Sequence, residues 1–401
     1  MDKITVFFGA GEKGRLAIGH AKSNQIDIDC IIDADPVTWG AEYHGIEVYR
    51  PEHLLDFGEN VEVIITTYPA FARYILMQLA DIGFVHMENV LICAEKIGVG
   101  KFLEERFSTS QSIDKGGTGN RKYEVTTADK RRLFLHVVDI TQYKRTETVF
   151  MIMRQATALG IPIPYPEEFG KISKWGGYLL LSWIEGEDLI DTLPNLTQKE
   201  QYALGLKAGG ILRKIHSIPA PDVPDEWTIR SYEKAENIKH YHKESLYFTE
   251  VERKLVDHIA ENIHLLSKRS ECFLQGDYHL GNMMLQNGKI IIVDFDGFRY
   301  GVPWSDFSRI TWSAQKSPCF ATGQIHGYFN GKPPAEAWPL IAFYAALDAI
   351  NFFLNVATIN ASDMVRKRLM INAEILGQFD DMRSSVPVWY FPPEQFTSLF
   401  I

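Results

Sequence analysis

One stretch constrains the fold more than any other. It is Gln275-Gly276-Asp277-Tyr278-His279-Leu280-Gly281-Asn282, followed by Ile291-Ile292-Val293-Asp294-Phe295-Asp296-Gly297. An aspartate is followed five residues on by an asparagine, and then by an apolar run that ends in a second aspartate. The segment from Asp277 to Asn282 is bracketed by Cys272-Phe273-Leu274 and Met283-Met284-Leu285. Gln286-Asn287-Gly288-Lys289 has Asn-Gly at its centre, a strong signal for a tight hairpin turn. Lys289 to Val293 then reads as a return strand rich in β-branched residues. Such a hairpin brings Asp294 back beside the loop that holds Asp277 and Asn282. Three oxygen-bearing side chains then converge on one hard cation.

Phosphoryl transfer from a nucleotide needs such a set. One carboxylate orients the attacking hydroxyl and accepts its proton. An amide oxygen and a second carboxylate hold the magnesium that neutralises the phosphates. Each residue alone has a plainer reading: an Asp after Gly is usually a turn residue, and an Asn before an apolar run is often a helix cap. Loop, hairpin and carboxylate arriving in the required order favour the site. Asp296 stays open between a second metal contact and a solvated strand-end residue.

The segment resembles the aminoglycoside phosphotransferase and choline kinase superfamily, whose fold is similar to that of protein kinases. The family pattern is His-Gly-Asp, four residues, Asn, then a strand ending Asp-Phe or Asp-Trp. The resemblance implies that Asp277 is the catalytic base and that Asn282 and Asp294 are Mg2+ ligands. It also implies ATP or GTP as co-substrate and a small-molecule hydroxyl as acceptor. Gln275 stands where the family usually has His, a position that supports the loop. Pro303-Trp304-Ser305-Asp306 matches a family aspartate that braces the catalytic loop, so Asp306 is implied as structural support. The resemblance covers roughly residues 108 to 390.

Upstream, Lys115-Gly116-Gly117-Thr118-Gly119-Asn120 precedes Lys122-Tyr123-Glu124-Val125, and Leu133 to Val138 follows. This reads as strand, Gly-rich turn, strand and strand. Backbone amides near Gly117 and Gly119 could approach phosphates closely. The position, about 160 residues before the catalytic loop, suits a kinase small lobe. The family has a Lys or Arg on the third strand; here His136 aligns. Glu147, in the following helix, would be its partner by resemblance. Three explanations stay open: His136 is a weaker phosphate contact, Lys144 or Arg145 substitutes, or the chain is a pseudokinase. The plain reading of His136 is a strand histidine with no ligand. Gly177 to Leu189 reads as an apolar strand running into an acidic turn, which the resemblance makes the interlobe hinge. Ser182, Trp183 and Ile184 are then the adenine segment. His216, at the end of a helix from Tyr202 to Ile218, matches a family packing position.

The first hundred residues differ. Ile4 to Phe8 is a strand of the buried type, running into Gly9-Ala10-Gly11-Glu12-Lys13-Gly14, which opens a helix, Leu16 to Ser23. A second strand, Ile28 to Ile32, ends at Asp33. Glycines at this spacing allow a tight turn and close approach of a pyrophosphate to the helix N-terminus, and the acid can bond ribose hydroxyls. Gly9, Gly11, Gly14 and Asp33 are thus candidate ligand contacts, set against a scaffold whose glycines serve only the fold. Further strands are expected at Gly45–Tyr49, Val61–Thr66 and Val90–Ile92, with a helix at Phe71–Ile82. The unit is similar to the small Rossmann-like domains attached to sugar-modifying cell-surface polysaccharide enzymes. Ile32-Asp33-Ala34-Asp35-Pro36-Val37-Thr38-Trp39-Gly40 and His44-Gly45-Ile46-Glu47-Val48 carry that resemblance, which implies a nucleotide-sugar ligand.

The expected architecture is therefore an α/β Rossmann-like domain followed by an α+β bilobal protein-kinase-like domain. Residues 1–105 form the first, 106–188 the small lobe and 189–401 the large lobe, with a linker between modules near Glu95 to Gly117. The net charge of −10 argues against a nucleic-acid partner. It is compatible with a cationic acceptor such as an aminoglycoside or choline, and also with a sugar. Asp2 and Lys3 lead directly into a strand, without a signal peptide. The apolar run Ala342 to Ala357 contains Asp348, Asn351 and Asn355 and reads as a buried helix, not a membrane span. Four cysteines without paired spacing suit a reducing cytoplasm. Helices Tyr232–Tyr247 and Trp338–Leu354 should build the acceptor pocket, with Tyr241, Tyr247, Trp312, Tyr344 and Asp348 as candidates against plain packing. A second reading is a non-catalytic nucleotide or nucleotide-sugar binding module. A third, an oxidoreductase, rests only on the N-terminal glycines and lacks a hydride-transfer site.

Overall fold

The computed structural model describes residues 3–66, 69–113, 121–221, 231, 233, 235–236, 238, 249–266, 270–357 and 362–395. The chain divides into two compact units. One holds residues 1–154 and 164–183, the other residues 155–163 and 184–401.

The first unit begins with β1 (Ile4–Phe8), α1 (Glu12–Ser23), β2 (Cys30–Ile32), β3 (Glu42–Tyr43), β4 (Ile46–Tyr49), β5 (Val61–Ile65), α2 (Pro69–Asp81) and β6 (Val90–Ile92). The strands form one sheet in the order β3-β4-β2-β1-β5-β6. All neighbours are parallel except the edge pair of β3 and β4. β1 lies centrally, and its Val6, Phe7 and Phe8 are buried. Alternate side chains leave opposite faces of a strand. Phe7 accordingly packs with Ile31, Ile64 and α1, while Val6 and Phe8 pack with Cys30, Ile32, Val61 and Val63 on the other face. Strands covered on both faces read as continuous apolar runs, as β1 and β5 do.

The same unit continues with α3 (Val99–Arg106), β7 (Thr109–Ser112), β8 (Arg121–Thr126), β9 (Arg132–Asp139), α4 (Tyr143–Ala158, whose end from residue 155 is counted with the second unit), β10 (Pro166–Ser173) and β11 (Gly176–Ser182). These strands make an antiparallel sheet in the order β10-β11-β9-β8-β7. The expected linker between modules is not a linker. Val99, Phe102, Leu103 and Phe107 of α3 and its exit join one hydrophobic cluster with Phe7 and Ile31 from the parallel sheet and with Leu135, Val137, Trp175 and Leu180 from the antiparallel one. Phe7 and Trp175 rings lie 6.3 Å apart, and Lys96 Nζ stands 5.1 Å from the Trp175 ring centre. Lys171 donates to Asn24 at 2.7 Å, and His20 meets Tyr143 at 5.0 Å. The two sheets therefore share a core, and no boundary of packing falls near residue 105. Within that stretch, Thr109–Ser112 supplies β7, a solvent-exposed edge strand paired with β8.

The second unit contains β12 (Glu187–Asp188), α5 (Leu189–Thr192), α6 (Gln198–Ile215), α7 (Glu250–Asn262), β13 (Cys272–Leu274), β14 (Met283–Gln286), β15 (Lys289–Ile292), β16 (Arg299–Gly301), α8 (Ile310–Lys316), α9 (Pro318–Phe329), α10 (Ala337–Ala357) and α11 (Ser362–Gln378). Helix α6 begins earlier than its apolar pattern suggests. Thr197 and Glu200 form a reciprocal capping box that satisfies its first amides. It also ends earlier, with His216 as its C-cap. Around α7, α10 and α11, Leu255, Ile259, Phe343, Ile350 and Phe379 make a second core. Among the described residues, no helix is long and apolar enough to cross a membrane.

Candidate active site

The predicted hairpin is present. β14 and β15 pair antiparallel, Met283 with Ile292 through Gln286 with Lys289. Asn287 and Gly288 both have positive φ, 49° and 71°, as the two-residue turn that matches strand twist requires. Val293 N–H donates to the Asn282 carbonyl at 3.0 Å. That bond ties the end of the loop to the residue before Asp294.

The loop is held by buried side chains that leave its acidic tip to do other things. Asp306, 2% exposed, accepts from the amides of Gln275 at 2.8 Å and Gly276 at 2.9 Å. His216 Nε2 lies 3.1 Å from the same carboxylate, and its Nδ1 lies 2.9 Å from the Tyr328 hydroxyl. Asp306 thus spends both oxygens on the loop backbone and a histidine. Gln275 is fully buried. Its amide nitrogen donates to the Asp294 carbonyl at 2.6 Å, and its amide oxygen accepts from Asp277 N–H at 2.8 Å. One side chain therefore clamps the two strand ends that carry the aspartates. A histidine there also offers one donor and one acceptor. Gly276 has φ +83°, and a Cβ on it would lie 1.9 Å from the Gly297 carbonyl oxygen, so only glycine fits. Tyr278 points away from the site and donates to the Ala208 carbonyl.

Asp277 carries the densest electrostatics. Arg309 Nη1 donates to its Oδ1 at 2.5 Å, and His279 Nε2 lies 3.3 Å from the same oxygen. The Gly281 amide donates to His279 Nδ1 at 3.0 Å. The imidazole proton therefore sits on Nε2, directed at the carboxylate. Burial pushes the Asp277 carboxyl up, but His279 and Arg309 pull harder, and the net shift is below the ordinary carboxylate range. Asp277 is held ionised and aimed. Arg309 also reaches Asp348 on α10 at 3.3 Å, so one guanidinium joins two carboxylates.

The residues fit a magnesium ion bound chiefly through a nucleotide. Asn282 Nδ2 donates to the Asp277 carbonyl at 3.0 Å, which leaves its amide oxygen as the group suited to a hard cation. Asp294 sits in the left-handed backbone region, φ +59°, at the end of the return strand. A non-glycine residue there costs roughly 1–2 kcal/mol, and such strain clusters at functional positions. Asp296 N–H donates to Asp294 Oδ1 at 3.2 Å. Among the described residues, no group of three or more His, Cys, Asp or Glu gathers as a metal cage. Magnesium held by one or two side chains plus phosphate oxygens needs none.

His136, Glu147, Ser182 and Trp183 lie in the first unit. His136 is buried on β9, opposite Leu179 of β11 and Lys122 of β8. Glu147 does not pair with the strand position. It pairs with Lys144, three residues earlier on α4, at 2.6 Å, since neighbours at that helical spacing meet without tertiary help. Lys144 and Arg145 are solvent-exposed. Ser182 Oγ accepts from the Tyr165 amide at 2.8 Å, and Trp183 carries the Arg132 guanidinium 4.7 Å from its ring centre. Ile184 belongs to the second unit, where it opens the longer of that unit's two segments. Gly117 and Gly119, like Tyr241 and Tyr247, lie outside the described residues.

At the N-terminal glycines, Gly9 has φ +123°, and a Cβ on Gly14 would lie 1.8 Å from the Gly9 carbonyl oxygen. Those two serve the turn and the approach of helix to strand. A Cβ on Gly11 would meet nothing within 4 Å. Asp33 accepts from the Ala10 amide and, at 2.8 Å, from Asp35 N–H. It holds the glycine loop itself.

Reading the sequence missed Arg309 and the orienting role of His279. Arg309 stands three residues after Asp306, and His279 stands two after Asp277. Both were in view, but neither carries a spacing signature of its own.

The strand-loop-strand around Asp277, Asn282 and Asp294 and the helices behind it define a kinase-like fold of mixed helices and sheets. The phosphotransferase enzyme family model (APH) matches residues 110–343, and the chain belongs to that family. Aminoglycoside phosphotransferase APH(4)-Ia in a ternary complex with ADP and hygromycin B is similar with a TM-score of 0.52 and 16% identity, over 70% of this chain and 98% of that one. Spectinomycin phosphotransferase APH(9)-Ia with ADP and spectinomycin gives 0.51 and 17%, over 70% and 94%. Amicoumacin kinase hAmiN in complex with AMP-PNP, Ca2+ and Ami gives 0.52 and 17%, over 76% and 98%. No curated protein matches the chain in sequence.

Proposed function

We propose that the protein is a small-molecule kinase that moves the γ-phosphate of ATP or GTP to a substrate hydroxyl. The observation that carries this reading is the hairpin that brings Asp294 back to the Asp277–Asn282 loop, with both ends clamped by Gln275. In this reading Asn282 and Asp294 hold Mg2+, which supplies charge neutralisation of the phosphates. Asp277 accepts the hydrogen bond of the acceptor hydroxyl and aligns its oxygen with the γ-phosphorus. The bond from that oxygen to phosphorus forms as the bond from phosphorus to the bridging oxygen breaks. The electron pair leaves with the nucleoside diphosphate, and the hydroxyl proton passes to Asp277. A carboxylate held below its usual range is a weak base. Its contribution is chiefly orientation, as a loose transition state with late proton movement requires.

The parallel sheet of the first unit is, in the same proposal, a Rossmann-like domain that takes a nucleotide-sugar at Gly9, Gly11 and Gly14. Open space over Gly11 supports that reading. Four free buried cysteines suit the cytoplasm.

A second reading is a non-catalytic nucleotide-binding module. A buried histidine, His136, in place of a lysine on β9, with Glu147 engaged by Lys144, favours it. Thermal unfolding with ATP, GTP or neither, each with and without Mg2+, separates the two. A ligand at a hundredfold over its dissociation constant stabilises by roughly 2.7 kcal/mol. A magnesium-dependent shift that Asp294→Ala abolishes supports the kinase. No shift with either nucleotide moves the second reading to first place.

A further inference from the structure

Holding Asp277 ionised does not by itself aim it. A carboxylate turns easily about its last bond, a torsion with broad wells. Two donors restrain that turn. Arg309 Nη1 and His279 Nε2 both fall on Oδ1, and Oδ2 receives neither. Arg309 is a long side chain with much rotamer freedom to lose, so it can fix Asp277 only if it is itself fixed.

Two further contacts fix it. Trp312, one turn on in α8, has its ring centre 4.8 Å from the guanidinium carbon. Asp348, from α10, lies 3.3 Å from Nε. Nε and Nη1 look to different sides of one planar group, so a guanidinium bonded at both cannot turn freely. Burial opposes the Arg309 charge, but Asp348, ahead of Asp277, outweighs it, and the net shift is upward. Two carboxylates share this one cation, so Asp277 is restrained without having a cation to itself.

We infer that Asp348 is a positioning residue for the transfer: it holds the Nε end of Arg309, so that Arg309 pins Oδ1 of Asp277 and the acceptor hydroxyl meets Oδ2. This inference rests on the kinase reading of the site. It moves Asp348 from the acceptor pocket to the support behind the acid.

The test uses the full-length protein with ATP or GTP and Mg2+, and water as the acceptor, so that turnover releases phosphate and nucleoside diphosphate. Asp348→Ala and Asp348→Leu, which lack an acceptor for Nε–H, should lower kcat at least about tenfold, with the nucleotide KM unmoved. Melting of each variant reports whether it folds. Asp348→Asn should lose less, because its amide oxygen still accepts from Nε–H. In an Arg309→Met background Asp348→Ala should cost nothing further. An effect carried by Arg368, which also feels the Asp348 charge, or by contact with the acceptor would persist there. Full kcat in a folded Asp348→Ala or Asp348→Leu protein overturns the inference. So does an asparagine variant no faster than alanine, or a loss that persists without Arg309.

A second measurement needs no turnover. The Arg309 Nε–H proton, labelled with 15N and identified by its loss in Arg309→Met, should exchange with water faster in Asp348→Ala. Unchanged exchange overturns the inference. Wild-type release no faster than that of Asp277→Ala fails the kinase reading instead, and the exchange then reports the Asp348 contact alone.

Discussion

Two glycine-containing loops of this chain solve one problem in opposite ways. Each follows a buried strand and must be held open against its neighbours. At the N-terminus, Asp33 does the holding, since its carboxylate accepts from the Ala10 and Asp35 amides. At residues 275–282 the holding is done by Asp306 and Gln275, which are buried and lie outside the chemistry. In the proposed kinase, Asp277 and Asp294 are thereby kept for the ligand rather than for holding the loop. A loop braced by residues other than its own acid can commit that acid to a reaction. A loop braced by its own acid has less of that acid to offer a ligand.

The largest expected effect tests the acid that is left over. Asp277→Ala should lower turnover by about 10²–10⁴, the range for a positioned proton acceptor, with melting close to wild type. Steady-state assay of nucleoside diphosphate release measures it. Full activity would remove Asp277 from the reaction and, with it, the contrast between the loops.

The next effect tests the brace. Asp306→Ala strips a buried carboxylate from two amides and His216, and should cost about 3–5 kcal/mol. Denaturant unfolding of the variant reads the loss, and turnover should fall with it because the loop relaxes. A stable variant with an intact loop would show that Gln275 suffices alone. Gln275→Ala, which abandons the Asp294 carbonyl and the Asp277 amide, should cost less, about 1–3 kcal/mol. Gln275→His should recover part of that, because an imidazole also supplies one donor and one acceptor. Recovery no better than alanine would mean that the amide reaches a geometry a ring does not.

How far these features could be read in advance depended on how local they are. The hairpin and its acids were legible because Asn287-Gly288 fixes a two-residue turn and the flanking apolar runs fix its register. The bracing by Asp306 came from resemblance alone, since nothing local to Pro303–Asp306 reveals which amides it meets. Pairing of Phe7 with Trp175 joins residues far apart in sequence, and an apolar residue carries no label for its partner. The shared core, and with it the absence of a linker, was therefore invisible. Glu147 taught the reverse. Its spacing from Lys144 announces a helical ion pair, and the family resemblance outweighed a local rule that held.

The smallest expected effect falls on the loop whose acid is spent. Asp33 is half-buried, so water can replace part of what its carboxylate gives Ala10 and Asp35. Asp33→Ala should therefore cost only about 1 kcal/mol. The N-terminal sheet shares its core with the antiparallel sheet, so the loss should appear in the unfolding of the whole first unit rather than as a separate early transition. Turnover should fall at least about tenfold less than in Asp277→Ala. Hydrogen exchange at the Ala10 amide offers the sharper reading, because that proton is the one Asp33 holds. Accelerated exchange confined to Gly9–Gly11, with the catalytic loop unmoved, would establish that the two acids do different work. Collapse of activity in Asp33→Ala at unchanged stability would show the N-terminal acid acting on the reaction itself, and would break the comparison.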